Sequence, residues 1–222
     1  VFVNGPDASF IFNYTSKSPE LILVNADGVL LAEFSETKTL KQYISQFKYA
    51  TYYGDKKKAL LQIAKHQIEK EAFNTVAKAM DDAFPKIRIL ALENIDLANK
   101  YTKNSVINRI KKIATSDKNT LVQAAAIETL GKLTDPENLP IFKEALKSKS
   151  YSVLGKTLVA TYYVDKVAAV ALSKTLPDQV KKIIATPLTR IYLEENDDDE
   201  LTFIASNVMS GMYLSQNKKI QT

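Results

Sequence analysis

Two segments of this chain repeat each other at a separation of thirty-five residues. Residues 82–95 align with residues 117–130, and each segment begins with an aspartate that is followed by apolar residues at helical spacing. A small residue stands in the middle of each apolar stripe, at Ala91 and Ala126. Self-similarity at a period of roughly 20–50 residues is typical of a solenoid. This repeat restricts the possible folds more than any other feature of the sequence.

Fainter copies of the repeat lie on both sides, and a second series of helices alternates with the first. Equivalent positions of the first series are Ala59, Ala91, Ala126 and Thr157, and those of the second series are Phe73, Ile107 and Phe142. One amphipathic helix pair cannot bury its apolar stripe alone, whereas stacked pairs form a continuous core. We therefore predict a mostly α protein, a HEAT-like α-α superhelix. An ordinary helical domain with chance similarity is the alternative.

The predicted superhelix covers residues 37–222. Thr37 and Asp55 are the expected N-caps of its first two helices, Gly131 is expected near the end of another, and Pro187 should kink or break a helix over 178–194. A last apolar helix follows at 201–212. The other predicted helices lie near 85–98, 102–115, 119–133, 140–148, 150–163 and 165–174. With only 6 Gly and 7 Pro in 222 residues, long helices with short connections are favoured.

Residues 1–36 differ from the rest of the chain. They contain three short apolar runs with strand character, and Asp27-Gly28 between two of these runs is a hairpin signal. Three strands are too few for an independent sandwich. We expect this β segment to be the end of a β-sandwich domain, or a small sheet on the first helices. Because the chain opens at Val1 with no signal peptide, we expect it to derive from a longer protein.

The charge pattern argues against nucleic acid as a partner. The net charge is +5, but only 3 of the 30 basic residues are arginines, and the lysines are spread over nearly every helix beside acidic residues. Nucleic-acid sites concentrate basic residues and use arginine for bidentate contacts. No apolar run approaches the ~20 residues that span a bilayer, so no membrane span is predicted either.

The sequence offers no recognisable set of catalytic, cofactor-binding or metal-binding residues. There is no cysteine, and His66 is the only histidine, whereas a zinc site needs three or four ligands. Phosphate-loop, dinucleotide and nucleophile-elbow motifs do not occur. Carboxylates are plentiful, but no motif or spacing identifies a catalytic pair of carboxylates. The acidic run at residues 194–200 lacks the EF-hand pattern and is interpreted as the N-terminus of a helix.

Clustered tyrosines are the strongest candidate for a binding surface. They are Tyr49, Tyr52, Tyr53, Tyr162 and Tyr163. Tyrosine offers contact area at low entropic cost and could line a peptide groove. The alternative is that these side chains pack partly buried with the hydroxyl in water.

Residues 19–60 carry a resemblance to a known family. Residues 19–33 read PELILVNADGVLLAE, followed by a KTLKQY segment at 38–43 and by QFKYA at 46–50 and YGDKKKAL at 53–60. This order resembles the region after the catalytic domain in zinc aminopeptidases of the aminopeptidase N family, especially bacterial members. There a strand segment closes a small β-sandwich and a helical superhelix follows. Lysines at 56–58 stand where the family pattern has arginines and glutamate.

The resemblance implies a non-catalytic role for this chain. The zinc ligands, catalytic glutamate and amino-terminus-binding motif of that family belong to an earlier domain, so zinc is expected there and no cofactor here. The superhelix would contact that upstream domain, close over its active site and limit which peptides enter. Secretion signals in bacterial relatives favour a periplasmic or secreted parent. The alternative function is an independent HEAT-like scaffold that binds a protein partner on its concave face.

Overall fold

The computed structural model describes residues 21–23 and 36–175. Nine α-helices lie within these residues, and short 3-10 turns at Ala64–His66 and Pro136–Asn138 precede α3 and α7. The helices are α1 (Leu40–Tyr49), α2 (Tyr53–Ile63), α3 (Lys70–Ala79), α4 (Pro85–Asn94), α5 (Lys100–Ser116), α6 (Thr120–Lys132), α7 (Leu139–Ala145), α8 (Tyr151–Val164) and α9 (Lys166–Thr175).

The helices form two layers. In one layer, which we call the inner layer, α2 packs on α4, α4 on α6 and α6 on α8. The helices α1, α3, α5 and α7 lie against this layer, and α9 packs on α8. Each helix therefore contacts its neighbours in the stack, and the core runs continuously between the layers. The predicted mostly α solenoid of stacked helix pairs is confirmed.

Burial confirms the register of the repeat. The small residues at equivalent positions of the four inner helices are all fully buried, and the large apolar residue after each of them is also buried. These residues are Ala59, Ala91, Ala126 and Thr157, each followed in turn by Leu60, Leu92, Ile127 and Leu158. In the other layer the equivalent Phe73 and Phe142 are buried, and Ile107 packs against the core. The small side chains at the first set of positions allow the inner helices to approach each other.

The turns before the inner helices repeat as well. Asp82 Oδ1 accepts the backbone N–H of Phe84, and Asp117 Oδ1 accepts that of Asn119, at 2.9 and 2.8 Å. Ser148 Oγ accepts the N–H of Ser150 in the same manner at 3.1 Å. In each case the side chain binds the backbone two residues ahead and turns the chain into α4, α6 or α8.

The first two helices begin at positions other than those predicted. Thr39, and not Thr37, caps α1, because Gln42 lies three residues later and its Oε1 accepts the Thr39 N–H at 2.8 Å. Thr37 has Leu40 at the corresponding position, which cannot make this reciprocal bond. The second helix begins at Tyr53 without a side-chain cap, so Asp55 lies inside its first turn.

Gly131 lies one residue before the end of α6, as predicted, and it is also a packing residue. It is buried inside α6, and a Cβ added there would lie 2.6 Å from the Cβ and 2.7 Å from the Cα of Ala160 in α8. Helix α6 continues to Lys132. The chain turns at Thr134, whose φ of 49° lies in the left-handed region. Glycine at residue 131 therefore sets the close approach of α6 to α8.

Several predictions fall outside the described residues. Residues 21–23 form neither helix nor strand, and the remainder of the predicted β segment at 1–36, apart from Glu36, is not described. The predicted helices at 178–194 and 201–212 also lie outside, as does the acidic run at 194–200. The domain boundary at residues 36 and 37 therefore remains a prediction. None of the helices within the described residues has the length and apolar character needed to cross a membrane.

Candidate functional site

The structure does not bring the candidate tyrosines into one groove. Tyr49 and Tyr52 lie on the surface beside α1 and α2, where they are 61% and 53% exposed. Tyr162 is buried in α8, and its ring meets that of Tyr163 edge-on at 6.3 Å between centroids. Because α4 and α6 separate α2 from α8 in the stack, the two sets belong to opposite ends of the described helices. A single tyrosine groove is therefore excluded.

His66 lies on the surface at the end of the 3-10 turn after α2. Its backbone carbonyl accepts the N–H of Glu69 at 2.9 Å, which closes the turn before α3. Nowhere in the described part of the chain do three His, Asp or Glu side chains come together in a way that could hold a metal ion.

A groove of about 380 Å³ crosses the exposed face of the inner layer, and we call it the inner groove. Its floor consists of equivalent positions in three successive helices, Ile89 in α4, Ala124 in α6 and Gly155 in α8. The side chain becomes smaller at each step, from isoleucine to alanine to glycine. Leu121 and Tyr151 line the groove and remain 55% and 45% exposed. Two large apolar side chains beside a floor of small residues form a surface suited to contact with another polypeptide.

Charged residues line one side of the inner groove. Glu93 and Glu128 are equivalent positions on α4 and α6. Lys156 Nζ lies 2.7 Å from Glu128 Oε2 and ties α8 to α6. Glu93 makes no ion pair with any described residue. The groove therefore presents one free carboxylate beside its apolar floor.

Two further grooves lie across the layer of α1, α3 and α5. The first, of about 740 Å³, lies between α1 and α3, and the second, of about 750 Å³, lies beside the first half of α4 and along α5. Asp81, in the turn after α3, lines both grooves. They therefore meet at this turn, and we call the combined surface the lysine channel. Its basic side chains are Lys48, Lys56, Lys70 and Lys78 in the first groove and Arg88, Arg109, Lys112 and Lys118 in the second.

Ion pairs between successive repeats form part of the channel wall. Lys56 Nζ in α2 lies 2.6 Å from Asp82 Oδ2, and its ammonium also lies over the rings of Phe47 and Phe84 at 5.4 and 5.6 Å. Arg88 Nε and Nη2 in α4 donate to the two carboxylate oxygens of Asp117 at 3.0 and 2.8 Å. These four side chains are between 8% and 17% exposed, so both pairs lie mostly out of water.

Arg109 joins α5 to α3. The third arginine of the sequence, Arg190, lies outside the described residues. Arg109 Nη1 donates to the carbonyl oxygen of Ala77 at 2.8 Å and lies 3.5 Å from Asp81 Oδ2. The two arginines of the channel are thus both engaged in contacts between helices, and they act in packing the repeats together.

Asp55 is a half-buried carboxyl in the first turn of α2. Partial burial raises the pKa of this carboxyl above the ordinary aspartate value, and the charge of Glu36 acts in the same direction. Lys58 and Lys38 oppose the rise because they favour the ionised form. The backbone carbonyl of Asp55 accepts a hydrogen bond from Gln46 Nε2 at 3.0 Å, which joins α2 to α1.

Comparison with known families identifies the repeat. Residues 73–160 match the family model of HEAT repeats. The matched residues run from α3 to α8, the helices that carry the inner groove and much of the lysine channel. The predicted HEAT-like superhelix is confirmed for this part of the chain. No curated protein matches the chain. The resemblance to aminopeptidases rests on residues 19–60, and the HEAT match does not extend to them.

The repeat register could have located the inner groove from the sequence. Ile89, Ala124 and Gly155 each lie two residues before the small buried position of their helix, at Ala91, Ala126 and Thr157. The decrease in side-chain size along this series is visible in the sequence once the register is set. The lysine channel has no comparable signal, because its two halves come from helices and turns up to seventy-four residues apart, from Ile44 to Lys118.

Proposed function

We propose that this chain is a non-catalytic HEAT-like scaffold whose inner groove contacts a polypeptide. The observation that carries the proposal is the construction of the groove from equivalent positions on three stacked helices. Exposed Leu121 and Tyr151 border the small residues Ala124 and Gly155. Such a surface suits an extended segment that places a side chain over the small residues, and solenoids generally bind partners along a stacked face of this kind.

In its finer form, the proposal places the chain after the catalytic domain of a zinc aminopeptidase of the aminopeptidase N family. The support is the order of segments over residues 19–60, followed by a helical repeat. In that protein the inner layer would form part of the wall around the active site. Its effect on catalysis would be to limit access and position peptides, while zinc and the general base would belong to the upstream domain.

The gene itself provides the first test. A His-Glu-x-x-His motif several hundred residues upstream of Val1 in the same reading frame supports the aminopeptidase proposal. A native start near Val1 contradicts it and favours the independent scaffold, which the HEAT match also supports. Purified chain should neither hydrolyse aminoacyl anilides nor bind equimolar zinc. Turnover that survives repurification and is lost in His66→Ala would contradict a non-catalytic role.

The second test uses the whole parent enzyme and a matched pair of substitutions. Ser152 is exposed and lines the inner groove, so Ser152→Trp should fill the groove without disturbing the core. We expect a lower kcat/KM for long peptides and an unchanged value for aminoacyl anilides, because only the long substrates reach the wall. The control is Asn104→Trp, at an exposed position of α5, which should leave kcat/KM unchanged for both kinds of substrate. Equal effects of both variants on long peptides would contradict the role of the groove.

A further inference from the structure

We propose that the lysine channel binds an extended acidic segment of a partner polypeptide. This surface lies across α1, α3 and α5, whereas the inner groove lies on the layer of α4, α6 and α8. The proposal therefore goes beyond the function assigned to the inner groove, and either one can fail without the other.

The charges that line the channel do not balance. Three of its carboxylates are already held by basic residues, since Asp82 pairs with Lys56, Asp117 with Arg88 and Asp81 with Arg109. These pairs join one helix to the next and leave little negative charge for the remaining lysines.

Four exposed ammonium groups remain along the channel. They belong to Lys70, Lys78, Lys112 and Lys118, and none has a carboxylate within ion-pair distance among the described residues. Among the described residues, Glu71 is the only lining carboxylate outside the three pairs. A surface with this excess of positive charge attracts an acidic partner and repels a basic one.

The geometry fits an extended peptide. Lys70 and Lys78 are eight residues apart on α3, which places their Cα atoms roughly 12 Å from each other along the helix. In an extended chain, residues i and i+4 lie on the same face and are separated by about 13 Å. Acidic side chains at alternate positions of a bound segment could thus reach both lysines. Ile44, which lines the channel and is half-buried, would contact the aliphatic part of that segment.

The same observations favour a peptide over a nucleic acid. Asp117 and the carbonyl of Asp82 engage all three nitrogens of the Arg88 guanidinium, so it is not available for bidentate contacts to phosphate. Arg109 Nη1 is engaged by the carbonyl of Ala77. Glu71 and Asp81 would also repel a continuous phosphate backbone, whereas a peptide can place uncharged residues opposite them.

The test measures fluorescence anisotropy of a labelled peptide with the full chain. The peptide has about ten residues with glutamate at alternate positions. The two test variants are Lys70→Gln/Lys78→Gln and Lys112→Gln/Lys118→Gln. The control, Lys100→Gln/Lys143→Gln, removes the same charge from exposed lysines outside the channel. We expect each test variant to weaken binding about fivefold or more, and the control to weaken it less than about twofold.

Binding should also weaken strongly between low salt and about 0.5 M NaCl, because exposed charges are screened over a few ångströms at that ionic strength. Absence of measurable binding by the unmodified chain would overturn the proposal. So would equal losses in the test and control variants, or equal binding of a peptide with glutamine in place of glutamate. Single-stranded DNA of equal charge that binds more tightly than the peptide, and loses this binding in the same variants, would assign the channel to nucleic acid. That result would also overturn the proposal of a peptide partner.

Discussion

Arg88 in α4 donates hydrogen bonds to both carboxylate oxygens of Asp117, the residue that turns the chain into α6. One repeat earlier, Lys56 in α2 holds Asp82, which turns the chain into α4. Each aspartate therefore both directs its own helix and ties that helix to the preceding one. At the next step Gln123 takes the place of the basic residue and donates to the carbonyl of Asp117 at 2.7 Å. The series of ion pairs thus joins the first three inner helices.

Removing one member of this series should destabilise the stack. Arg88→Ala leaves the mostly buried carboxylate of Asp117 without its partner, so we expect the free energy of unfolding to fall by about 2–3 kcal/mol. Urea denaturation of the single variants and of Arg88→Ala/Asp117→Ala measures the coupling between the two side chains. The control is Lys147→Ala, which breaks an exposed pair with Glu144 and should cost less than about 0.5 kcal/mol. Equal costs for both would show that the inter-repeat pair has no special role.

Ala126 lies fully buried where α6 packs on α4, in the position that Ala91 and Ala59 occupy in their own helices. Ala126→Leu should overpack this contact and lower the free energy of unfolding by roughly 1–3 kcal/mol. Thermal denaturation followed by circular dichroism measures the effect. The same substitution at exposed Ala98 should leave the melting temperature nearly unchanged. An unchanged melting temperature for Ala126→Leu would contradict the repeat register.

Two glycine substitutions should change stability in opposite directions. Gly131→Ala places a Cβ against the backbone of Ala160, so α6 and α8 must separate and stability should fall by about 1–3 kcal/mol. Gly54→Ala in α2 meets no atom within 4 Å, and alanine favours the helix, so stability should rise by about 0.5–1 kcal/mol. Denaturant titration of both variants provides the comparison. A stabilising Gly131→Ala would show that the two helices are not held at this distance.

The raised pKa of Asp55 predicts a specific pH dependence. Because the folded-state pKa lies above the unfolded value, the favourable contribution of this group is fully present at low pH and is lost as pH rises through the folded-state value. Asparagine does not ionise, so the stability of Asp55→Asn does not fall in this way as pH rises. We therefore expect the stability of the variant relative to the unmodified chain to increase from about pH 3 to about pH 7. A difference that stays constant or decreases over this range would contradict the assigned cause.

Deletion of residues 1–36 tests the predicted domain boundary. We expect the helical circular-dichroism signal to remain nearly intact, because the described core begins with α1 and its contacts to α2 and α3. Unpaired strand edges invite association, so the shortened chain should also be less prone to aggregate than the whole chain. Light scattering of the two proteins measures this second effect. Loss of the helical signal on deletion would mean that the first segment belongs to the helical core.

Local sequence was sufficient for the helices and for the register of the repeat. Apolar spacing located both ends of α6 and α8 to within about one residue, which is within the usual variation of helix ends. It also gave the start of α4, but α4 ends at Asn94, four residues before the predicted end. The small residues Ala59, Ala91 and Ala126 identified the buried contacts, because the apolar spacing and the burial of these residues both depend on a single face of each helix. The first two helix starts were wrong because caps depend on a reciprocal bond at Thr39 and on chain geometry at Tyr52.

The binding surfaces required the tertiary structure. The sequence alone determined that stacked helix pairs would bury one stripe each, since hydrophobic periodicity is a property of each helix by itself. Only the packing decided that Tyr49 and Tyr162 would be far apart, and that Lys70 and Lys112 would line a common channel. Which exposed side chains share a surface depends on the order and spacing of the helices in the stack. Close contacts such as Gly131 against Ala160 set that spacing, and they join residues distant in sequence.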